Sequence, residues 1–383
     1  MANRDRHEAL RGAGEEILDL LAEAWTSEQW AELLRAPLEH AAAKGNRGLA
    51  QKLVGAGAKI GVALHAAARG GHGDVVNDLL GSGASVAAKD TSGNGNTVLH
   101  IAARRGKTEM VQLLLLKGTD KDAIDNKRRT PLFLAALWGK TAPALALLVA
   151  GADFSVQCGR YSKRTMLHAA AEYGEVDIMR AAIERGADVN ALDSNRQTPL
   201  HVAARFNKVG PVDVLVEAGA NIEAQNSDIG TPLHLAAIEP SLEALLALLK
   251  RGAHVNTRDY GQDTPLHWAA LVSGTQGAAM VVNSLLRSGA DETILNDEGK
   301  AAADVVGKQC EEEDPLAEDV GRVRQLLTNA PADRAWRRRG YLVLCRAHPY
   351  RVQQLHVKSR SACVGVAWRT RSSGKKLAKR RDG

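Results

Sequence analysis

Aromatic side chains are scarce in this sequence: its 383 residues include six Trp, five Tyr and three Phe. Large rings usually anchor a globular core, so their scarcity suits thin helices packed closely through small residues, and Ala, Leu and Gly are abundant. Cysteine is rarer still. Cys158, Cys310, Cys345 and Cys363 follow no repeating spacing. That argues against a disulfide framework and for reduced thiols in a cytosolic or nuclear protein. The opening residues, "MANRDRHEALRGAGEE", are charged and lack the apolar run of a signal peptide. One nearly uncharged stretch, Thr130 to Ala152, carries only Lys140, but Gly139, Lys140 and Pro143 interrupt it, so no membrane span is expected there.

Acidic charge is missing from one end. Residues 331–383 hold 15 Lys and Arg against 2 Asp and Glu, a net of +13, which leaves the other 330 residues at −7. The chain is a mildly acidic body with a strongly basic tail, and the two parts call for separate explanations.

Repetition is what the body has in quantity. A Thr-Pro-Leu-His tetrad ends at His201, and its leucine aligns with Leu64, Leu99, Leu132, Leu167, Leu200, Leu233 and Leu266, in steps of 35, 33, 35, 33, 33 and 33 residues. Degenerate copies fall at Leu38 and Ala303. Such a period marks a stacked repeat array. Within a unit, Thr caps a helix and Pro takes its first position, where a missing N–H costs nothing. A short Ala-rich helix, a turn and a second apolar-patterned helix follow. Gly118, Gly151, Gly186, Gly219, Gly252 and Gly289 then stand where a left-handed C-cap is expected.

These units resemble the ankyrin repeat. "TPLHVAA", "TPLHLAA" and "TPLHWAA" lie close to its consensus, as do the unit ends "GADVN", "GANIE" and "GAHVN". The resemblance covers about residues 36–328 and implies eight repeats plus a degenerate capping one. It implies an all-α repeat solenoid of stacked helix-turn-helix units, with β-hairpin fingers between neighbours. Stability is then close to a sum of repeat and neighbour-interface contributions.

The repeat also decides what His201 is. His65, His100, His168, His234 and His267 occupy the same slot, so six of the twelve histidines belong to one structural position. The resemblance implies that this imidazole bonds backbone between adjacent units, and no catalytic role is expected. Two "GKT" triplets, at Gly106 and Gly139, lack the earlier glycine of a phosphate loop, since Ile101 and Leu134 stand there. "GAGAKIG" (Gly55 to Gly61) has the wrong spacing for a dinucleotide loop and follows a helix. Cys345, His348, His356 and Cys363 match no zinc module, and are read as a chance grouping. No catalytic constellation, cofactor or metal site is expected.

Specificity is sought where the chain departs from consensus. Fingers of the family read Asp-x-x-Gly-x-Thr-Pro, but Arg128, Lys163, Arg196 and later Gln262 stand in the glycine's place. Around them lie Lys121, Lys127 and Arg129, then Arg160, Tyr161 and Arg164; Tyr260 sits in the later finger "DYGQD". Stacked helical layers recur about every 8–10 Å, so equivalent fingertips form a basic ridge on which an acidic partner segment is expected. The other reading is three solvated turns that tolerate any polar residue. Insertions at Leu271–Met280 and in "VQCGRYSKRT" add length to loops on the array.

Three parts result: an N-terminal helical cap at 1–35, the repeat domain at 36–328, and a basic tail at 329–383. Ile17, Leu18, Leu21 and Trp25 have helical spacing, and Ser27 opens a second short helix with Trp30, Leu33 and Leu34. Pro331 is read as a break, followed by one more helix and then, from Pro349, disorder. Lys375, Lys376, Lys379, Arg380 and Arg381 resemble a nuclear-import signal. Contact with nucleic acid or another anionic surface, or no specific role, are the alternatives. The expected protein is a monomeric, non-enzymatic scaffold in the cytoplasm or nucleus, binding another protein through fingers and concave face. A nucleic-acid-associated regulator using the basic tail is the runner-up.

Overall fold

The computed structural model describes residues 27–91, 93–159, 161–307 and 317–347. They fall into two compact units, Met1–Ala169 with Glu184–Ala187, and Ala170–Ile183 with Asp188–Gly383.

The described part of unit 1 begins with α1 (Ser27–Leu33), the short helix expected to open at Ser27. Helix pairs follow: α2 (Arg35–Lys44) and α3 (Arg47–Gly55), α4 (Gly61–Gly70) and α5 (Gly73–Gly81), α6 (Val98–Arg105) and α7 (Thr108–Leu116), α8 (Pro131–Leu137) and α9 (Thr141–Val149). Helix α10 (Met166–Tyr173) contributes residues to both units. Unit 2 continues with α11 (Val176–Ile183), α12 (Pro199–Arg205) and α13 (Val209–Glu217), α14 (Pro232–Ile238) and α15 (Leu242–Lys250), α16 (Pro265–Leu271) and α17 (Ala278–Arg287). A 3-10 turn (Ala302–Val305) and α18 (Ala317–Ala347) close it.

In unit 1 the first helices of the pairs pack in one row, α2 on α4, α4 on α6 and α6 on α8, while α3, α5, α7 and α9 pack in a second. Unit 2 repeats the arrangement with α12, α14 and α16 in one row and α11, α13, α15 and α17 in the other. The core is built from the aligned leucines and from alanines such as Ala102, Ala103, Ala203 and Ala204, all fully buried. Alanine has no bulk beyond Cβ, which lets neighbouring helices approach closely. Burying each leucine contributes about 2 kcal/mol before entropy is counted.

Local chemistry sets the helix ends. Thr130, Thr198, Thr231 and Thr264 have extended backbones and are followed by Pro at the first helical position. Between the two helices of a pair the chain turns through a left-handed residue, as at Gly71 and Gly106. That explains both "GKT" triplets. A Cβ added at Gly71 would meet Cδ of Lys107 at 3.1 Å, and one at Gly106 would meet Cδ of Lys140 at 3.1 Å. Each lysine stem therefore lies across the preceding repeat's glycine.

Three features differ from expectation or refine it. Among the described residues no β-strand is present, and the fingers are tight turns with one isolated antiparallel bridge, Cys158 to Arg164. The loops are too short for a ladder: Asp125 N–H donates to Arg129 O at 3.0 Å, and Arg128 N–H donates back to Asp125 O at 3.0 Å. Second, the degenerate ninth unit keeps only the 3-10 turn, where the Asp304 carboxylate accepts from Ala301 N–H at 2.9 Å in the histidine's place. Third, α18 runs through Pro331 without ending. Packing on both sides overrides the local break, since Ala330 is buried and Arg334 pairs with Asp291 and Glu292. Helix α18 thereby also crosses the expected domain boundary at 328/329.

The stretch checked as a membrane candidate is split into α8 and α9, and among the described residues no helix is long and apolar enough to cross a membrane.

Candidate protein-interaction surface

The repeated histidine is scaffold in both units. Thr97 N–H donates to Nδ1 of His100 at 3.2 Å, and Nε2 faces Arg129 O at 2.9 Å. In unit 2 His201, His234 and His267 do the same, with Nε2 at 3.1, 3.2 and 3.1 Å from the carbonyls of Gly230, Asp263 and Lys300. A backbone N–H can only donate, so Nδ1 accepts and the proton sits on Nε2. Burial favours this neutral form: it holds His100 below the usual imidazole range and lowers His234 to about 4. Phe133 occupies the slot in α8, and Thr130 Oγ1 there accepts from Phe133 N–H at 3.1 Å as an ordinary cap.

Most fingers are held from inside by an Asp or Asn; the finger of Lys163 has Arg160 in that place and is closed by the Cys158–Arg164 bridge. In unit 1 Asp125 Oδ1 accepts from Lys127 N–H at 2.9 Å and Arg129 N–H at 2.8 Å. Asp193, Asn226 and Asn296 cage the fingers of unit 2 in the same way. The tips are also tied to one another. Asn126 N–H donates to Asn94 O at 2.8 Å and Gly159 N–H to Arg128 O at 3.3 Å. In unit 2 Ser227, Tyr260 and Asp297 donate to Asn195, Asp228 and Gly261 at 3.0, 3.1 and 3.0 Å.

The glycine slot is left-handed despite its side chains. Arg128, Lys163, Arg196 and Gln262 have φ of 57°, 48°, 55° and 60°. Ile229 joins them at 61°, a β-branched residue where that backbone is least favourable. Sequence reading passed over Ile229 because Gly230 beside it looks like the turn glycine. The count back from Thr231 would have found it.

The expected site residues sort into groups. Lys127, Arg128, Tyr161 and Lys163 are exposed on adjacent fingers of unit 1, Tyr161 by 84%. Arg129 belongs to the fold: its Nε and Nη2 lie 2.8 and 2.7 Å from Oδ2 of buried Asp125. Arg164 is half-buried and its backbone forms the bridge to Cys158. Arg196 and Tyr260 are exposed on unit 2. Arg160 and the tail residues Lys375, Lys376, Lys379, Arg380 and Arg381 lie outside the described residues, as do Ile17 to Trp25 and the cysteine–histidine grouping of the tail, save for the backbone at Cys345.

Two slots that sequence reading left unused also matter. Five residues after the aligned leucine stand Arg69, Arg104 and Arg205; six after it stand Arg105, Trp138, Tyr173 and Phe206. Trp138 is 55% exposed, and the Arg104 guanidinium lies over its ring at 6.0 Å from the centroid. Carrying the alignment two positions past the alanines would have exposed both slots. Among the described residues no group of His, Cys, Asp and Glu is arranged to hold a metal ion.

Comparison with known proteins agrees with this architecture. The family model for ankyrin repeats matches three times, over residues 64–158, 139–226 and 212–296, which together span more than half of the chain. The chain is similar to a transient receptor potential cation channel subfamily A member 1 homolog of Caenorhabditis elegans, at 36% identity over 34% of the chain and 10% of that protein. It is also similar to the probable E3 ubiquitin-protein ligase XBOS31 of Oryza sativa subsp. japonica, at 33% identity over 32% of the chain and 28% of the relative. Ankyrin repeat and SOCS box protein 5 of Oryctolagus cuniculus is 41% identical over 24% of the chain and 27% of its own length. The matched segments thus span under a third of each relative.

Proposed function

The chain belongs to the ankyrin-repeat family, and on that premise we propose that it is a non-enzymatic scaffold or adaptor, monomeric, that binds another protein through its fingers and first-helix face. The observation that carries this reading is the row of fingertips. Arg128, Lys163, Arg196, Ile229 and Gln262 keep large side chains on left-handed backbone where glycine would be unstrained. Strain retained at the exposed Arg128, Lys163, Arg196 and Gln262 makes sense if the side chains contact something. Basic tips on fingers tied tip to tip within each unit suit an acidic segment, which pre-ordered turns can bind with little further loss of entropy. Relatives named as E3 ubiquitin-protein ligases and SOCS box proteins support an adaptor role, while the short matched segments give no ground for carrying over a ligase activity.

The test is capture of partners from lysate by the full chain, by Arg128→Glu/Lys163→Glu/Arg196→Glu, and by a chain ending after Ala347. The expected result is a partner kept by the shortened chain and lost with the reversals. A partner indifferent to the reversals removes the fingertips from the reading.

The runner-up is a nucleic-acid-associated regulator, favoured by the +13 of residues 331–383. Its association would vanish with nuclease treatment and fall steeply with salt. The cytoplasm or nucleus is the proposed location, with Lys375, Lys376, Lys379, Arg380 and Arg381 as an import signal.

A further inference from the structure

Unit 1 carries arginines that no carboxylate among the described residues matches. Arg69 ends α4, and Arg104 and Arg105 end α6, so they lie on neighbouring helices of the first-helix row. Among the described residues none of the three forms an ion pair with a carboxylate. Arg129, close enough to act on Arg104, is already matched by Asp125. Burial presses Arg104 below its ordinary pKa, and the charges of Arg105, Arg129 and Arg69 add to that, with Asp90 the one opposing charge. A guanidinium stays charged regardless, so the group repels itself until an anion arrives. The same slot in unit 2 shows the contrast: Arg205 pairs with Glu239 at 3.1 Å.

We propose that the ends of α4, α6 and α8 in unit 1 bind an acidic peptide segment, its carboxylates held by Arg69, Arg104 and Arg105 and an apolar side chain resting on Trp138. The inference rests on the protein-binding reading above and names the chemistry of the partner. Guanidinium forks donate to carboxylates two bonds at a time. Neighbouring helices lie about 8–10 Å apart, so in an extended peptide rising about 3.3 Å per residue the two contacts fall two to three positions apart. A nucleic acid fits less well. Residues 1–330 carry a net −7, which opposes a long polyphosphate. The first helices of unit 1 also offer Trp138 alone as an exposed ring among the described residues, where a strand of bases wants a row of platforms.

The test is fluorescence anisotropy of a fluorescein-labelled peptide, Glu-Glu-Ala-Glu-Glu-Leu-Glu, with the full chain at low and moderate salt. Two variants remove the same charge: Arg104→Gln/Arg105→Gln, and at the ends of the second helices α7 and α15 Lys117→Gln/Lys250→Gln, exposed positions outside every proposed contact. The basic tail is common to both, so its contribution cancels. The arginine pair is expected to weaken binding by about tenfold or more and the lysine pair by about threefold or less. Trp138→Ala, an exposed position whose melting curve should match the parent, is expected to weaken binding as well. Equal losses in the two charge-matched variants, or no loss in the first, would overturn the proposal. So would a single-stranded oligonucleotide of the same charge that binds more tightly through the same two arginines. If the peptide fails while a lysate partner stays on the repeats, this inference falls and the scaffold reading stands. If the repeats retain no partner at all, the scaffold reading falls first.

Discussion

The two units use one framework and dispose of their charges differently. In unit 2 arginines are matched across repeats at two positions: Arg251 lies 2.8 Å from both Asp213 and Glu217, and Arg205 pairs with Glu239. Asn207 also reaches Glu243 from the neighbouring repeat. Unit 1 has such a pair between α3 and α5, where Arg47 meets Asp78 at 2.6 Å. Beyond it, Arg69, Arg104 and Arg105 stand without an ion pair among the described residues, and α9 ("TAPALALLV") carries no charged residue at all. A repeat slot can thus join neighbours or remain open to a partner. Matched charges add a little cohesion, whereas unmatched ones weaken the fold slightly and gain meaning from what they bind.

The comparison can be tested from the strongest effect downward. Largest should be the response to acid, which the shared histidine slot imposes on both units. The pKa of His234 is lowered to about 4 from an ordinary 6.5. As pH falls the unfolded chain takes up the proton first, so stability is complete above about 6.5 and declines toward 4. The loss from His234 alone is about 3 kcal/mol, and His100 adds to it in the same direction. Urea titrations between pH 7.5 and 4.5 should show the fall, and a His234→Gln variant should lose less on acidification. A pH-independent midpoint would contradict the account.

Next come the fingertips. Ile229→Gly in unit 2 should raise stability by about 1 kcal/mol, because relief of the left-handed backbone outweighs the extra freedom of the unfolded chain. Arg128→Gly in unit 1 should gain less, since an unbranched side chain fits that backbone better. Chemical denaturation of the two variants reads both values. A loss at either position would mean that the tip side chain packs more strongly than its exposure suggests.

Smallest is the charge contrast itself. Arg251→Ala, which unpairs Asp213 and Glu217, should lower the melting midpoint slightly, and high salt should erase the difference. Arg105→Ala should leave the midpoint unchanged or raise it. If both variants lose stability alike, unit 1's arginines are serving the fold after all.

Much of this was legible in sequence because the repeat states each rule several times. Thr-Pro marks the helix start, the tetrad leucine marks the core, and six histidines at one spacing mark a structural slot. Positions where the framework tolerates anything were harder to read. Arg129 looked like a fingertip cation, yet it closes on Asp125, and the spacing of four residues was the one clue. Ile229 was hidden beside a glycine. The run of α18 through Pro331 was not legible at all, because it depends on Arg334 reaching Asp291 and Glu292, a contact 43 residues away for the first of them.

The tip-to-tip bonds have a consequence for dynamics. The amides of Asn126, Gly159, Ser227, Tyr260 and Asp297 sit on finger loops, yet each donates to the finger before it. They should exchange with solvent deuterium more slowly than neighbouring loop amides, because release of one requires two fingers to part. Within each unit a ligand that tilts one finger must therefore stretch its link to the next, so the fingers should stiffen or loosen as a comb rather than tooth by tooth.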